Sequence, residues 1–209
     1  MIIDTLFTNP LVFFVWLIAI IVPIALHEFS HALAATLQGD PTPKSMGRLT
    51  LNPIAHIDPL GIILLLLAGF GWGKPTPYNP LYLKSQRWGP VIVAVAGPVS
   101  NLIMIVAFGL LLRAFAFLGT TNLMVLLLVA LVQINIVLMI FNLIPIPPLD
   151  GSKVVFGFLP RSTEQFQMNL ERLGPMLLIG LIIIDRFANL GVFSSAFTAI
   201  SNLIFRVFT

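Results

Sequence analysis

Residues 10–37 read PLVFFVWLIAIIVPIALHEFSHALAATL, an almost uninterrupted apolar run that is long enough to cross a membrane as one helix. Its only ionisable side chains are His27, Glu28 and His31, which fall within five consecutive positions. An imidazole or carboxylate at membrane depth is costly unless it is paired or solvated, and it usually serves a function. The segment therefore predicts both a membrane protein and a functional site inside it.

The composition of the whole chain agrees with a membrane protein. Of its 209 residues, 58% are hydrophobic and 9% are charged, whereas soluble domains carry about 25% charged residues. The net charge of +3 is small and spread along the chain, which argues against nucleic-acid binding. Because the chain contains no cysteine, any bound metal must be held mainly by His, Asp and Glu.

Long apolar segments predict where the chain crosses the membrane, since a spanning helix needs about 20 such residues. We expect an all-α polytopic membrane protein with about four to six transmembrane helices. The predicted spans lie within residues 10–37, 88–112, 114–149 and 174–192, while residues 61–70 and 193–209 are ambiguous.

The stretch between the first two long spans, residues 44–87, has a different character. It contains five prolines and five basic residues. Short patches at 48–51 and 76–78 predict strands or extended edges. The apolar residues 61–70 are too few to span a membrane. We therefore expect a small strand-containing re-entrant region here.

The basic residues predict the orientation of the chain. If residues 61–70 do not cross, one side of the membrane carries most of them and the other side carries Arg113. By the positive-inside rule the rich side is cytosolic. The C-terminal ends of the first span and of residues 122–149 then meet at this cytosolic side. The basic residues placed there are Lys44, Arg48, Lys74, Lys84, Arg87, Lys153, Arg161 and Arg172.

The HEFSH motif at residues 27–31 has the spacing of a zinc site. On a helix, His27 and His31 lie on one face, about 6 Å apart along the axis. Two neutral imidazoles in that arrangement can bind one Zn²⁺ ion. Glu28 is then the expected general base. The alternative is a structural polar cluster, which the apolar setting disfavours.

A catalytic zinc site needs a third protein ligand and one open position. Asp150 stands out because it ends the segment NLIPIPPLD at 142–150, whose three prolines prevent a regular helix. Irregular backbone at membrane depth occurs only where it lines a cavity or is buried in protein. Such a segment can aim a carboxylate at a metal, although a plain interfacial helix stop is the alternative. The other candidates are Asp4, Asp40, His56, Asp58, Glu164, Glu171 and Asp185.

HEFSH followed by NLIPIPPLDG resembles the site-2 protease family of intramembrane zinc metalloproteases, whose pattern is HExxH on one transmembrane helix and NxxPxPxxDG on another. The resemblance implies one Zn²⁺ per chain, with His27, His31 and Asp150 as ligands. Glu28 would be the general base acting on zinc-activated water. It implies an endopeptidase that cuts transmembrane protein substrates near the cytosolic face. Asn142 would lie in the cleft and hold substrate or the oxyanion.

Two further segments are similar to parts of that family. In AGPVSN at 96–101, Gly97 would permit close helix approach, and Asn101 would contact substrate or the oxyanion near the site. An ordinary interhelical contact is an equal alternative for Asn101. NPIAHIDP at 52–59 resembles the short branch that lacks PDZ and CBS domains. His56 is either an extra ligand or inhibitory cap, or an ordinary loop histidine.

The expected organisation is one transmembrane metalloprotease domain, residues 1–209, with a catalytic core at about 8–151 and C-terminal helices at 174–209. We expect a multi-pass protein of a prokaryotic cell membrane, with the lipid bilayer and transmembrane substrates as partners and no nucleic acid. The alternative function is a non-proteolytic metal transporter or a pseudo-protease scaffold. A transporter has no special need for Glu28 and often shows repeated halves, which this sequence lacks.

Overall fold

The structure is a computed structural model that describes residues 2–68, 71–188 and 190–208. In these residues the chain forms nine α-helices, joined by loops and short 3-10 turns. The helices are α1 (Ile2–Thr8), α2 (Pro10–Leu37), α3 (Thr42–Ser45), α4 (Pro59–Ala68), α5 (Trp88–Phe115), α6 (Leu123–Asn142), α7 (Asp150–Phe158), α8 (Glu164–Phe187) and α9 (Val192–Phe208).

Four of these helices, α2, α5, α6 and α8, are long and apolar enough to cross a membrane. This confirms the all-α polytopic fold at the lower end of the predicted four to six spans. Helix α4 has 10 residues, or about 15 Å at 1.5 Å per residue, and cannot cross alone. Helix α9 has 17 residues and is shorter than an average span.

Local sequence sets the ends of two of the spans. Asn9 caps α2, because its side chain accepts a hydrogen bond from the Val12 amide. Pro10 follows at the first helical position, where the N–H that proline lacks would have no partner within the helix. Asn122 caps α6 through the Met124 amide at 2.9 Å. Helix α6 ends at Asn142, where the proline-rich segment predicted to be irregular begins.

The core of the bundle lies where α2, α5 and α6 pack against one another. Small residues allow the close approach, as where Ala19 of α2 meets Ala130 of α6. Helix α9 closes one side, since Phe208 packs beside Ile105 of α5 and Ile136 of α6. The three packed spans hold the facing side chains of α2 and α5 in fixed register.

The predicted strands at 48–51 and 76–78 are wrong. The described residues contain no strand ladder, only an isolated bridge between Ile57 and Gly73. Backbone groups in and beside these segments bond to side chains instead, since the Thr50 carbonyl accepts from His56 and the Thr76 amide donates to Glu28. The buried guanidinium of Arg48 donates to the carbonyls of Ala55, Lys74 and Pro75. The segment is therefore fixed without sheet pairing.

The connection between α6 and the last long span is more helical than predicted. Helix α7 begins at Asp150, and α8 begins at Glu164 rather than near Gly174. Residues 164–173 read EQFQMNLERL, which is polar but rich in helix formers, so the helix continues beyond its apolar part.

Candidate metal centre

Helix α2 presents His27 and His31 on one face, as the four-residue spacing predicts. Both side chains are buried, and their Nε2 atoms lie 3.0 Å apart. The two rings meet edge to face. Both imidazoles therefore aim the same ring nitrogen at one point beside the helix.

The non-helical segment between α6 and α7 places Asp150 at the same point. Its Oδ2 atom lies 3.2 Å from Nε2 of His27 and 3.3 Å from Nε2 of His31. Burial would raise the pKa of Asp150, but the contacts with the two imidazoles outweigh it and hold the pKa at about 2. Asp150 is therefore an ionised carboxylate at neutral pH.

The glycine after Asp150 explains how the turn is made. A Cβ atom on Gly151 would lie 2.2 Å from the carbonyl oxygen of Leu143. Only glycine lets the start of α7 fold back so closely onto the end of α6. The Asp-Gly pair thus combines a carboxylate with the tight approach that aims it.

Hydrogen bonds behind the two rings define their tautomers. Nδ1 of His31 lies 2.7 Å from the Val93 carbonyl, which can only accept, so this nitrogen carries the proton. Nδ1 of His27 lies 2.7 Å from Oδ1 of Asn101, which is also an acceptor. In the neutral rings, both Nε2 atoms therefore present lone pairs toward Asp150.

The three converging atoms fit a zinc ion. Two imidazole lone pairs and a carboxylate oxygen face one another, and buried Oδ2 of Asp150 accepts no hydrogen bond from the described residues. A proton can join two of these atoms, whereas a divalent cation satisfies all three. The three atoms are 3.0, 3.2 and 3.3 Å apart. Ligand atoms bonded at about 2.0 Å to a tetrahedral zinc ion are about 3.3 Å apart, so these separations suit zinc.

Gly97 of α5 leaves the space that this cluster occupies. A Cβ atom there would lie 2.5 Å from Nε2 of His31 and 2.6 Å from Nε2 of His27. The close approach predicted for Gly97 is therefore an approach to the two imidazoles themselves, and any side chain at this position meets them.

Glu28 lies beside the cluster. Its ligand atom lies within 4.8 Å of those of the two histidines, so it is a fourth group near the metal position. Asp150 approaches the imidazoles more closely. Oε2 of Glu28 accepts a hydrogen bond of 2.8 Å from the Thr76 amide, while the Thr76 hydroxyl donates to the Glu28 carbonyl. Both carboxylates therefore lie close enough to join the two histidines at a metal, and Asp150 is the better placed of the two.

A cavity of about 330 Å³ opens onto the cluster. Residues of the 71–78 segment line one side of it, while Asn142 and Asp150 line another. A second cavity of about 470 Å³, with a larger polar share than the first, shares Tyr78 and Lys153 with it. Burial raises the pKa of Tyr78 to about 12, and the carboxylates of Glu171 and Asp150 add to the effect. Its hydroxyl is therefore protonated at neutral pH.

Asn101 lies behind the metal position. It is fully buried behind His27, and both ends of its amide are occupied, because Nδ2 donates to Oδ1 of Asn135 at 2.9 Å. Asn101 thus contacts the back of His27 and makes an interhelical contact, while its role toward substrate or the oxyanion stays a prediction. Asn142 does line the cavity, and its amide donates to the Leu138 carbonyl at 3.0 Å.

The sequence reasoning missed Asn135 and Thr76. Asn135 is a fully buried polar residue in the apolar helix α6, and that isolation was the signal available in the sequence. Thr76 contacts the Glu28 carboxylate through its backbone amide, and a backbone contact cannot be recognised from the type of residue.

Four of the other candidates are engaged elsewhere. His56 is fully buried, and its Nε2 donates to the Thr50 carbonyl at 2.8 Å. Asp40 accepts from the Thr42 and Asn79 amides. Asp58 caps α4 through the Gly61 amide, and Glu171 pairs with Lys153. These partners account for them as structural groups.

Known proteins resemble this chain over most of its length. "Peptidase family M50" matches residues 15–124 and 113–184. "Putative zinc metalloprotease YwhC" of Bacillus subtilis is 40% identical over 173 residues, which make up 79% of this chain and 78% of that protein. "Putative zinc metalloprotease Rip2" of Mycolicibacterium smegmatis is 29% identical over 177 residues, covering 77% of this chain and 63% of that protein. No solved structure matches this chain. The family match spans both sequence motifs.

Proposed function

The chain belongs to peptidase family M50 and is a multi-pass membrane zinc metalloprotease, and on this basis we propose that it hydrolyses peptide bonds of transmembrane proteins near the cytosolic face. The observation that carries the proposal is the buried convergence of His27, His31 and Asp150 beside a cavity. Two of these residues belong to a spanning helix, so a substrate must be cut at membrane depth.

We assign zinc to Nε2 of His27, Nε2 of His31 and Oδ2 of Asp150, one ion per chain. When bound, zinc polarises the scissile carbonyl and lowers the pKa of water. Packed helices enclose the three ligands, and the metal position remains open toward the cavity. That open side is where a peptide bond must lie.

Glu28 is the general base in this proposal. The Thr76 amide holds one carboxylate oxygen, and the other remains to take a proton from the attacking water and pass it to the leaving amine. Asn142 lines the same cavity, and the amide hydrogen that does not bond Leu138 is available to substrate or to the oxyanion.

The depth of the site fits a cut near one membrane face. His31 lies about 9 Å from the C-terminal end of α2 at 1.5 Å per residue, and Asn142 ends α6. The basic residues predict that this end is cytosolic. We infer that water reaches the site from that side through the second cavity, which shares Tyr78 and Lys153 with the first.

We also propose that the chain acts as one transmembrane domain, with the catalytic core at about 8–151 and the C-terminal helices supporting it. Gly174 of α8 lies against Pro147, where a Cβ atom would be 2.4 Å from the Pro147 carbonyl oxygen. Helix α8 therefore abuts the segment that positions Asp150.

The Glu28→Gln variant tests the proposed function. We expect bound zinc to stay at one ion per chain, while cleavage of a single-span transmembrane substrate in liposomes falls about 10²- to 10⁴-fold. The measurements are metal content by mass spectrometry and product formation on gels. Asp58→Asn is the matched control, because Asp58 lines neither cavity and asparagine can still cap α4, and it should retain cleavage.

The alternatives give different results in the same experiment. A wild-type chain with full zinc that cuts no transmembrane substrate would overturn the proposal in favour of a scaffold. Zinc entering the liposomes without cleavage would indicate a transporter instead.

The contact between Glu28 and Thr76 yields a second expectation. Thr76→Pro removes the amide that donates to the Glu28 carboxylate, and the flanking Pro75 and Pro77 already restrict this backbone. A hydrogen bond to a charged group contributes about 1.5–3 kcal/mol, so kcat should fall about 10- to 100-fold with zinc retained. Thr76→Val keeps the amide and loses only the hydroxyl, and should cost less. Equal losses in both variants would contradict this role of the amide.

A further inference from the structure

A chain of three buried hydrogen bonds connects α6 to the back of His27. Nδ2 of Asn135 donates to the Leu131 carbonyl at 2.8 Å. Oδ1 of Asn135 accepts from Nδ2 of Asn101 at 2.9 Å, and Oδ1 of Asn101 faces Nδ1 of His27 at 2.7 Å. Both asparagines are fully buried, so water does not compete for these groups.

The polarity of this chain is fixed at its far end. The Leu131 carbonyl can only accept, so it must receive an amide hydrogen of Asn135. Asn135 must then turn its oxygen toward Asn101, and Asn101 must turn its own oxygen toward His27. Each step removes the freedom of the next group to flip. The backbone of α6 thus dictates which nitrogen of His27 carries the proton.

This constraint opposes a competing state. Oδ2 of Asp150 lies 3.2 Å from Nε2 of His27, and this carboxylate oxygen favours a proton on Nε2. A proton on Nε2 would block metal binding by this ring. The hydrogen-bond chain from α6 favours the proton on Nδ1 and leaves the Nε2 lone pair free.

We propose that Asn135 is a positioning residue of the metal centre, which acts through Asn101 to hold His27 in the tautomer that can bind zinc. The proposal rests on the assignment of His27 as a zinc ligand. Asn135 touches neither substrate nor metal, and its effect is transmitted through one side chain. Partners behind a ligating histidine of this kind typically change metal affinity about 10- to 100-fold when they are removed.

Asn135→Leu tests the proposal, because leucine has a similar volume and no polar atoms. Asn101 then loses its fixed partner and can turn Nδ2 toward His27. Zinc titration of the full-length protein in detergent, in competition with a chelator, should show a Kd raised about 10- to 100-fold. Gln133→Leu is the matched control, since Gln133 is exposed two positions earlier on the same helix, and its Kd should not change.

A double-mutant cycle separates positioning from packing. If Asn135 acts through Asn101, Asn135→Leu should change the zinc Kd less than about twofold once Asn101→Leu is present. Equal losses in the two backgrounds would show a packing role and overturn the proposal. Asn135→Asp provides rescue, since a buried neutral acid can donate to Leu131 and accept from Asn101, and its Kd should lie between those of wild type and Asn135→Leu.

The tautomer can be observed without zinc or substrate. The chain has three histidines, so ¹⁵N-histidine labelling gives three ring signals in the metal-free protein at mildly alkaline pH. His27 should carry its proton on Nδ1 in wild type and shift toward Nε2 in Asn135→Leu. An unchanged tautomer together with an unchanged Kd would refute the proposal and leave the proposed function intact. A wild type that binds no zinc would instead refute the proposed function, while the tautomer result would still report on Asn135.

Discussion

Gly97→Ala is expected to remove zinc from the protein and to abolish cleavage, although it adds a single methyl group. The new Cβ atom would lie 2.5 Å from Nε2 of His31 and 2.5 Å from Cε1 of His27. These rings cannot swing away, because Val93 and Asn101 hold their Nδ1 atoms from behind. The clash therefore falls on the ligand atoms. We expect a zinc Kd raised more than about 100-fold, since overpacking costs about 1–3 kcal/mol and here also displaces two ligands.

Gly109→Ala is the matched control for this prediction. It makes the same change in the same helix, and its Cβ atom would meet the Phe208 ring at 2.5 Å. That contact lies between α5 and α9, away from the metal cluster. Gly109→Ala should lower the temperature of unfolding but keep one zinc per chain. If Gly97→Ala bound zinc with the wild-type Kd, or if both variants lost zinc alike, the site would not depend on space at Gly97.

The sequence was sufficient to predict those parts of the site that depend only on local sequence patterns. The spacing of His27 and His31 places both rings on one face of any helix. The three closely spaced prolines before Asp150 end α6, because one helix cannot accommodate so many missing donors and restricted neighbours, whereas the single Pro23 lies inside α2. The four spans follow from apolar length alone. These features need no knowledge of which helices touch.

The parts that the sequence did not reveal depend on tertiary contacts. The role proposed for Asn135 depends on the register between α5 and α6, which places Asn135 opposite Asn101. The strand prediction failed for the same reason. An isolated bridge joins Ile57 to Gly73 beside this segment, but the distant side chain of Arg48 takes the carbonyls of Lys74 and Pro75, so no partner strand is needed. Residue type alone cannot show which of two possible acceptors a donor finds.

Asp150→Asn is expected to abolish cleavage and to weaken zinc binding strongly. Removing a partner behind a ligand weakens metal binding about 10- to 100-fold, and the loss of a ligand itself should exceed this. The change removes the negative charge that converges with the two imidazoles and replaces a carboxylate ligand with a neutral amide. Losing zinc removes both the polarisation of the carbonyl and the activation of water, so cleavage should fall further than in Glu28→Gln.

Stability measurements can separate loss of the metal from loss of the fold in Asp150→Asn. Zinc at about 1,000 times Kd stabilises a protein by about 4 kcal/mol, and a chelator removes this gain. Wild type should therefore show a large zinc-dependent shift in unfolding and Asp150→Asn almost none. In chelator Asp150→Asn should unfold more easily than wild type, because it loses the contacts with His27 and His31 that lower the pKa of Asp150 in the folded chain. Asp58→Asn, which can still cap α4, should keep the wild-type shift. A full zinc-dependent shift in Asp150→Asn would mean that another group, with Glu28 the nearest candidate, supplies the third ligand.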